Sequence, residues 1–144
     1  MSNRNWVYET ENKIYSRVNG ILQSQYKKKF SGFNVTLDNA TPTKAKLPSV
    51  YLAFLGSGER GQTLDGTYIN GVSMTVEVHV KTTSDEKQGV DLNREIAYAA
   101  TDALKTMGFT ATTLNIPTSN IDGVYESVSR YNRVIGANDV LYTI

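Results

Sequence analysis

The most constraining feature of this sequence is a strict alternation of apolar and polar residues over 72–81. Successive side chains of a β-strand point to opposite faces of a sheet. The alternation therefore predicts a long strand with one buried face and one solvated face. The apolar positions are Val72, Met74, Val76, Val78 and Val80, and the polar positions are Ser73, Thr75, Glu77, His79 and Lys81.

Two other segments show the three- and four-residue spacing of amphipathic helices. The first runs from Tyr8 to about Lys29, and Gly20 inside it allows a bend. The second is expected to begin at a capping box formed by residues 83–86 and to stop at Gly108. The side chains predicted to face inward from this second helix are Val90, Asn93, Ala97, Ala100, Leu104 and Met107.

The remaining strands are shorter or less regular. Residues 33–37 alternate as a short strand, and residues 49–55 are apolar on both alternations, which is typical of a strand covered on both faces. Residues 109–116 and 124–135 give two more strands around a turn at 117–123. The order α-β-β-β-α-β-β predicts a single α+β domain over 1–144, with two helices packed on a mainly antiparallel sheet.

Composition excludes several classes of protein. The chain has 144 residues, no cysteine and one histidine, so disulfides, thiolate metal sites and two-histidine chemistry within one subunit are excluded. No apolar run approaches the roughly 18 residues of a membrane span, and the N-terminus lacks the apolar core of a secretory signal. We therefore expect a soluble protein of the cytoplasm that binds no membrane. The net charge of +1 does not favour bulk nucleic-acid binding, and the expected partner is protein.

A glycine-rich segment, Gly56–Gly71, follows the apolar strand and is expected to form a long loop or a hairpin arm. It begins with Gly56-Ser57-Gly58-Glu59-Arg60-Gly61, which matches the G-x-G-x-x-G pattern of dinucleotide-binding folds. That site requires a helix directly after the glycines, and the residues between Gly61 and the next strand are too few and too rich in turn signals to form one. The segment is therefore interpreted as a flexible loop, with a nucleotide-binding enzyme as a remote alternative.

The only histidine, His79, shares a strand face with Glu77 and Lys81. Such neighbours lie about 7 Å apart along a strand, which predicts no direct hydrogen bond between His79 and Glu77. A solvated histidine or one that contacts another subunit is the favoured interpretation. No nucleophile motif, acid–base pair or metal-ligand pattern accompanies it. We predict no catalytic residues, no cofactor, no metal and no enzymatic activity.

Charge is unevenly distributed along the chain. Lys27, Lys28 and Lys29 form the main basic cluster, which is expected to complement the C-terminus of the first helix. A nucleic-acid platform that uses Tyr26, Phe30 and Phe33 is the less favoured alternative. Residues 1–60 carry nine basic and four acidic side chains, a balance of +5, whereas residues 61–144 carry six and ten, a balance of −4. Opposite halves of this kind suit head-to-tail association.

Taken together, the layout resembles the tail terminator (tail completion, or neck) proteins of long-tailed bacteriophages. The resemblance covers nearly the whole chain and consists of architecture and segment character, without a diagnostic catalytic motif. Its features are the leading helix, the proline-bounded sequence NATPTKAKLPSVYLAF before and within the apolar strand, the long strand 72–81, the alanine-rich second helix and the closing strand VYESVSRYNRVIG.

The resemblance implies a structural virion protein. It implies a homohexameric ring that caps the tail tube, stops its polymerisation and joins the head–tail connector (stopper) protein, while genomic DNA passes through the lumen without specific contact. Such a ring would be assembled in the host cytoplasm. Another neck or head-completion protein is the alternative. The candidate protein-interface residues are Gly56, Ser57, Gly58, Glu59, Arg60, Gly61, Asp65 and Tyr68.

Overall fold

A computed structural model describes residues 5–37, 47–62, 69–83, 89–121 and 123–136, which form two helices and five strands. Their order, α-β-β-β-α-β-β, confirms the predicted α+β fold. The elements are helix α1 (Asn5–Tyr26), strand β1 (Asn34–Thr36), strand β2 (Ser49–Gln62), strand β3 (Ile69–Thr83), helix α2 (Gly89–Lys105), strand β4 (Thr110–Ile121) and strand β5 (Val124–Gly136).

The strands form one sheet in the order β1-β2-β3-β5-β4. Strand β1 runs parallel to β2, and all other neighbours are antiparallel. The long alternating strand predicted from the sequence is confirmed as β3, the central strand, which pairs with β2 on one side and with β5 on the other. Strand β4 has register shifts and contains Pro117, features that disfavour uncontrolled edge-to-edge pairing.

The core lies between one face of the sheet and the two helices. The alternate apolar side chains of β3 are buried on this face, and they pack against apolar side chains of both helices. Burying one such aliphatic side chain stabilises the fold by roughly 1.5–3 kcal/mol. The helical contributors that are fully buried include Ile14, Val18 and Leu22 from α1 and Ile96, Ala100 and Leu104 from α2.

Helix α1 confirms the predicted first helix and is continuous through Gly20. Gly20 is exposed, and a Cβ built on it has no neighbouring atom within 4 Å. Among the described residues, neither helix combines the length and the apolar character that crossing a bilayer requires.

Helix α2 begins later than the capping box predicts. Thr83 is the last residue of β3 because its backbone pairs with Val124, so it cannot cap the helix, which starts at Gly89. The other box residues lie outside the described residues. The predicted stop at Gly108 is confirmed, since Gly108 has a φ of 80° and lies just beyond the helix. Arg133 Nη1 donates a 2.6 Å hydrogen bond to the Met107 carbonyl and satisfies this end of α2.

The most buried polar side chain of α2, Asn93, joins the helix to the two central strands. It is fully buried, and its amide nitrogen donates to the Val80 carbonyl of β3 at 2.9 Å and lies 3.4 Å from the Tyr125 carbonyl of β5. Its amide oxygen accepts a hydrogen bond from the hydroxyl of buried Ser127. Because buried amide groups are costly unless they are paired, this set of bonds specifies one position of α2 on the sheet.

Two expectations about the sheet are wrong. Strand β2 is covered on one face only: Val50 and Leu52 are buried, whereas Tyr51 is partly exposed and Leu55 is half exposed on the other face. Both helices lie on one side of the sheet, so the apolar residues on the second face of β2 are not buried beneath a helix.

The turn predicted over 117–123 is mostly strand, since β4 continues to Ile121, which pairs with Val124.

Alanine at position 20 should stabilise the protein. Gly20→Ala fills open space within a helix, and the lower backbone entropy of alanine in the unfolded chain should raise the free energy of unfolding by about 0.5–1 kcal/mol. Gly108→Ala is the matched control and should destabilise, because φ is positive there and a Cβ would lie 3.1 Å from Arg133 Nε. Urea unfolding of both variants measures the difference, and a loss of stability in Gly20→Ala would contradict the prediction.

Removal of the Asn93 amide should destabilise the folded protein. Asn93→Ala leaves the Ser127 hydroxyl and several carbonyls without their buried partner and should lower the free energy of unfolding by about 2–3 kcal/mol. Arg94→Ala, at an exposed position of the same helix, should change it by less than about 0.5 kcal/mol. Equal effects of the two substitutions in chemical denaturation would contradict the role of the buried amide.

Candidate functional site

The glycine-rich segment begins as strand in the structure. Residues 56–62 continue β2 and pair with β3, from Ser57 opposite Met74 to Gln62 opposite Ile69. Of the two forms expected for this segment, its described part is therefore the paired arm. Asp65 and Tyr68 lie outside the described residues. At the base of the arm the backbones approach closely, because a Cβ on Gly71 would lie 2.9 Å from the Ile135 carbonyl oxygen of β5.

The strand conformation bears on the G-x-G-x-x-G pattern. All three of its glycines lie within β2, which continues to Gln62. A dinucleotide site needs glycine amides that open a helix, so that the helix N-terminus can hold the pyrophosphate. Amides of residues 56–61 instead belong to an extended strand, which agrees with the interpretation that this motif is not a nucleotide-binding loop.

The helix-free face of the sheet carries a cluster of charged side chains that the sequence did not identify. Glu77 accepts a 2.6 Å hydrogen bond from Arg130 Nη2 of β5 and lies 2.6 Å from His79 Nε2. On the other side of the ring, His79 Nδ1 lies 3.4 Å from Glu126 Oε2, which also lies 3.6 Å from Lys81 Nζ. We call these five residues, on two adjacent strands, the open-face charge cluster.

The contact between Glu77 and His79 corrects the sequence-based expectation of no hydrogen bond. Their positions are two residues apart on β3, but long side chains lean along a strand and can close the gap between such positions. The His79 ring also lies beside Tyr51 of β2, with 5.1 Å between ring centroids. His79 is therefore held by groups from three strands, and its side chain is only 17% exposed.

The electrostatics of the cluster favour an ionised Glu77. Burial raises the pKa of this carboxyl group, but hydrogen bonds and charge from Arg130 and His79 outweigh burial and lower the pKa below its usual value. The carboxylate thus links β3 to β5 across the centre of the sheet. The Asn132 amide adds a neutral link, since it donates to Ser73 Oγ and Thr75 Oγ1 at 3.2 and 3.1 Å.

A shallow groove of about 430 Å³ lies beside the cluster. Glu77, His79 and Arg130 form its charged side, while Val128 and Ile116 form its apolar side. Thr118 at its edge is already bonded to Glu126 Oε1 at 3.0 Å. Within the described ranges, no group of three or more His, Asp or Glu side chains is arranged to hold a metal ion. The arrangement is suited to cross-strand ion pairing and to contact with a protein surface of mixed polarity.

Apolar side chains surround the cluster on the same open face. Leu55, Ile116 and Val134 are each about half exposed, at 50%, 51% and 55%. Sequence reasoning missed this surface because β2 seemed covered on both faces and because the alternation in β3 showed only polar residues there. The signal lay in β5, where Val124, Val128 and Val134 occupy the same face as the polar residues of β3.

The structure places the basic cluster beside the core. Tyr26 and Phe33 are buried and pack together with 5.5 Å between ring centroids, so neither is displayed for base stacking. Lys27 Nζ donates to the Phe33 carbonyl at 3.1 Å. The lysines follow α1 in a turn instead of lying in its last turn. These contacts favour the structural interpretation of the cluster over the nucleic-acid one.

A second groove, of about 450 Å³, separates α1 from α2. Tyr26 lies at its base, and burial, followed by the charge of Glu95 and a hydrogen bond to it, raises the pKa of Tyr26 to about 12. Its other walls include exposed Tyr98 and Asp102. Tyr26 therefore stays protonated and can donate its hydroxyl to Glu95, which fixes this end of α1 against α2.

Comparison with known proteins gives no assignment: no protein-family model matches the chain, and no curated protein matches it.

The open-face charge cluster should make the free energy of unfolding fall as the pH is lowered into the acid range. Because the folded-state pKa of Glu77 is lowered, its contribution is present above the ordinary glutamate value near 4.5 and is lost as pH falls through the folded-state value. Glu77→Gln should cost roughly 0.5–1 kcal/mol at neutral pH and should flatten the loss of stability below pH 4.5.

The control for this measurement is Glu9→Gln, which makes the same chemical change at an exposed position of α1. Thermal unfolding from pH 3 to 7 compares the two variants with the parent protein. An unchanged acid limb in Glu77→Gln would show that this carboxylate does not contribute to acid sensitivity.

Proposed function

We propose that this protein is a ring-forming tail terminator of a long-tailed bacteriophage. It caps the completed tail tube, stops polymerisation and offers the surface that joins the head–tail connector. The observation that carries the proposal is the sheet with helices on only one face. The other face keeps half-exposed Leu55, Ile116 and Val134 around a charge cluster, which is a surface suited to contact with protein.

Three further features support this proposal. The overall layout resembles the tail terminator family in helix and strand order. The opposite charge balance of the two halves suits heterologous contacts, in which unlike surfaces of neighbouring copies meet and close a ring. The β2–β3 ladder continues to Gln62 and Ile69, beyond Gly71 and Gly136, which are the last described pair of β3 with β5. An arm of this kind is a natural contact element for a tube or connector.

The mechanism in this proposal is surface complementarity. One ring face copies the acceptor surface of a tube subunit, the opposite face does not accept another tube ring, and the arm residues 56–71 make the contact that joins the tail to the head. DNA passes through the lumen without specific recognition. No step requires a catalytic residue, a cofactor or a membrane.

Another neck or head-completion protein is the second candidate, and the same open face and arm support it equally. Stoichiometry and binding partner separate the two. A hexamer that binds purified tail tubes supports the terminator, whereas a dodecamer that binds portal protein supports the head-completion role. A nucleotide-binding enzyme has less support, because the glycines of its motif lie in a strand.

Shortening the arm should impair head–tail joining while the protein still folds. Replacement of residues 63–68 by an Asn-Gly turn keeps the described β2–β3 ladder and suits a tight hairpin, so the unfolding temperature should remain within a few degrees of the parent. The shortened protein should bind the head–tail connector at least about tenfold more weakly, a loss of about 1.4 kcal/mol or more. Tails completed with it should then yield fewer infectious particles than parent tails when mixed with filled heads.

A glycine–serine replacement of the same six positions is the matched control, since it keeps the arm length and removes only the side chains. Native mass measurement with and without tail tubes gives the stoichiometry in the same experiment. Normal particle yield with the shortened arm would contradict its role, and a protein that neither forms a ring nor binds tubes would contradict the proposed function.

A further inference from the structure

The groove between α1 and α2 has an apolar floor. Ile21 of α1 and the small side chains of Ala99 and Ala103 of α2 line it, and its volume is about 450 Å³. Tyr98 stands beside this floor with 51% of its surface exposed. The outer surface of the helical layer is therefore indented, and the indentation can receive side chains of another molecule.

Two carboxylates of α2, Glu95 and Asp102, line the same groove. They lie two helical turns apart, with Tyr98 between them, and both are exposed. Glu95 faces the groove, because it accepts a hydrogen bond from Tyr26 on the α1 side. No basic side chain of the described residues forms an ion pair with either carboxylate. The groove thus offers negative charge that the subunit itself leaves unpaired.

Two exposed lysines of the basic cluster lie beside this groove. Gln25 lines the groove, and Lys28 and Lys29 follow it by three and four residues, which places them one helical turn further along the same side. The backbone keeps this geometry past the end of α1, since Phe30 N donates to the Tyr26 carbonyl at 2.9 Å. Within the described part of the chain, neither lysine forms an ion pair. An acidic groove and a basic patch therefore adjoin on one surface.

Complementary patches that adjoin on one surface suit a two-fold contact. When two copies meet face to face across an axis between the patches, the groove of each copy meets the lysines of the other, and every contact occurs twice. A lysine suits this groove, because its apolar stem can cover the alanine floor while its ammonium group reaches the carboxylates. The exposed ring of Tyr98 is a further partner for a cation.

We propose that two copies of this chain associate through their helical layers, with Lys28 and Lys29 of each copy in the α1–α2 groove of the other. The contact is isologous, whereas neighbours in a cyclic ring meet through unlike surfaces. It also uses the helix side of the sheet and leaves the open face with Leu55, Ile116 and Val134 uncovered. The contact therefore does not depend on the proposed function.

Charge reversal tests this contact in the full chain. Lys29→Glu and Asp102→Lys each place like charges opposite one another at both symmetric sites and should weaken self-association at least about tenfold. An equimolar mixture of the two variants restores unlike charges at both sites of the mixed dimer, so its dissociation constant should return to within about threefold of the parent value. Sedimentation equilibrium and native mass spectrometry measure these constants.

The matched controls are Lys13→Glu and Glu9→Lys, which make the same charge changes at exposed positions of α1 that do not line the groove. Each control alone should associate like the parent, and thermal unfolding checks that all four variants are folded.

Loss in both groove variants, recovery in their mixture and no loss in the controls is the supporting result. A parent protein that stays monomeric at about 100 μM overturns the contact. So does a mixture as weak as its components, or a loss as large in the controls. Hexamers that form equally well in every variant, without a dimer that follows the charges, overturn the contact and leave the ring proposal intact. Dimers that follow the charges without any hexamer support the contact and count against the ring.

Discussion

The buried amide of Asn93 is the constraint on which the arrangement of layers depends. A helix that packs on a sheet through alanine and leucine can slide or rotate at modest cost, because apolar contacts are not directional. The Asn93 amide has partners only at Val80 and Thr82 of β3 and at Tyr125 and Ser127 of β5 among the described residues. One helix position satisfies them all. Further along α2, the Thr101 hydroxyl forms a 2.6 Å hydrogen bond with the Tyr131 hydroxyl of β5. This bond fixes the other end of the interface between the helix and the sheet.

Much of this fold could be predicted from periodicity, because a single buried face imposes its period on the sequence. Strand β3 and most of the inner face of α2 are examples, whereas Val90, predicted to face inward from α2, is 39% exposed. Predictions failed where a residue had two competing uses. Thr83 has the side chain of a helix cap, but its backbone pairs with β5 and remains in the strand. The glycines at 56–61 left a loop and a hairpin arm open, because glycine tolerates both, and pairing with β3 decides for the arm in the described part.

The candidate surface was harder to predict because it depends on neighbours that are distant in the sequence. Glu77 and Arg130 meet only because β3 and β5 are adjacent and in one register. Nothing in a single sequence gives that register. The open face that results is neither a plain solvated surface nor a closed core: its charges are paired with each other, and the apolar side chains of Leu55, Ile116 and Val134 stay about half exposed.

The central seam, where β3 pairs with β5, joins the strands of the sheet that lie furthest apart in the sequence. Strands β2 and β3 are joined through a short connection, and so are β4 and β5, so each pair can form early at low entropic cost. The seam joins Ser73 to Val134 across all of α2 and β4, and closing so long a loop is the slow kind of contact. Since Asn93 bridges this same seam, the position of α2 on the sheet depends on the strand pairing that joins the most distant parts of the sequence.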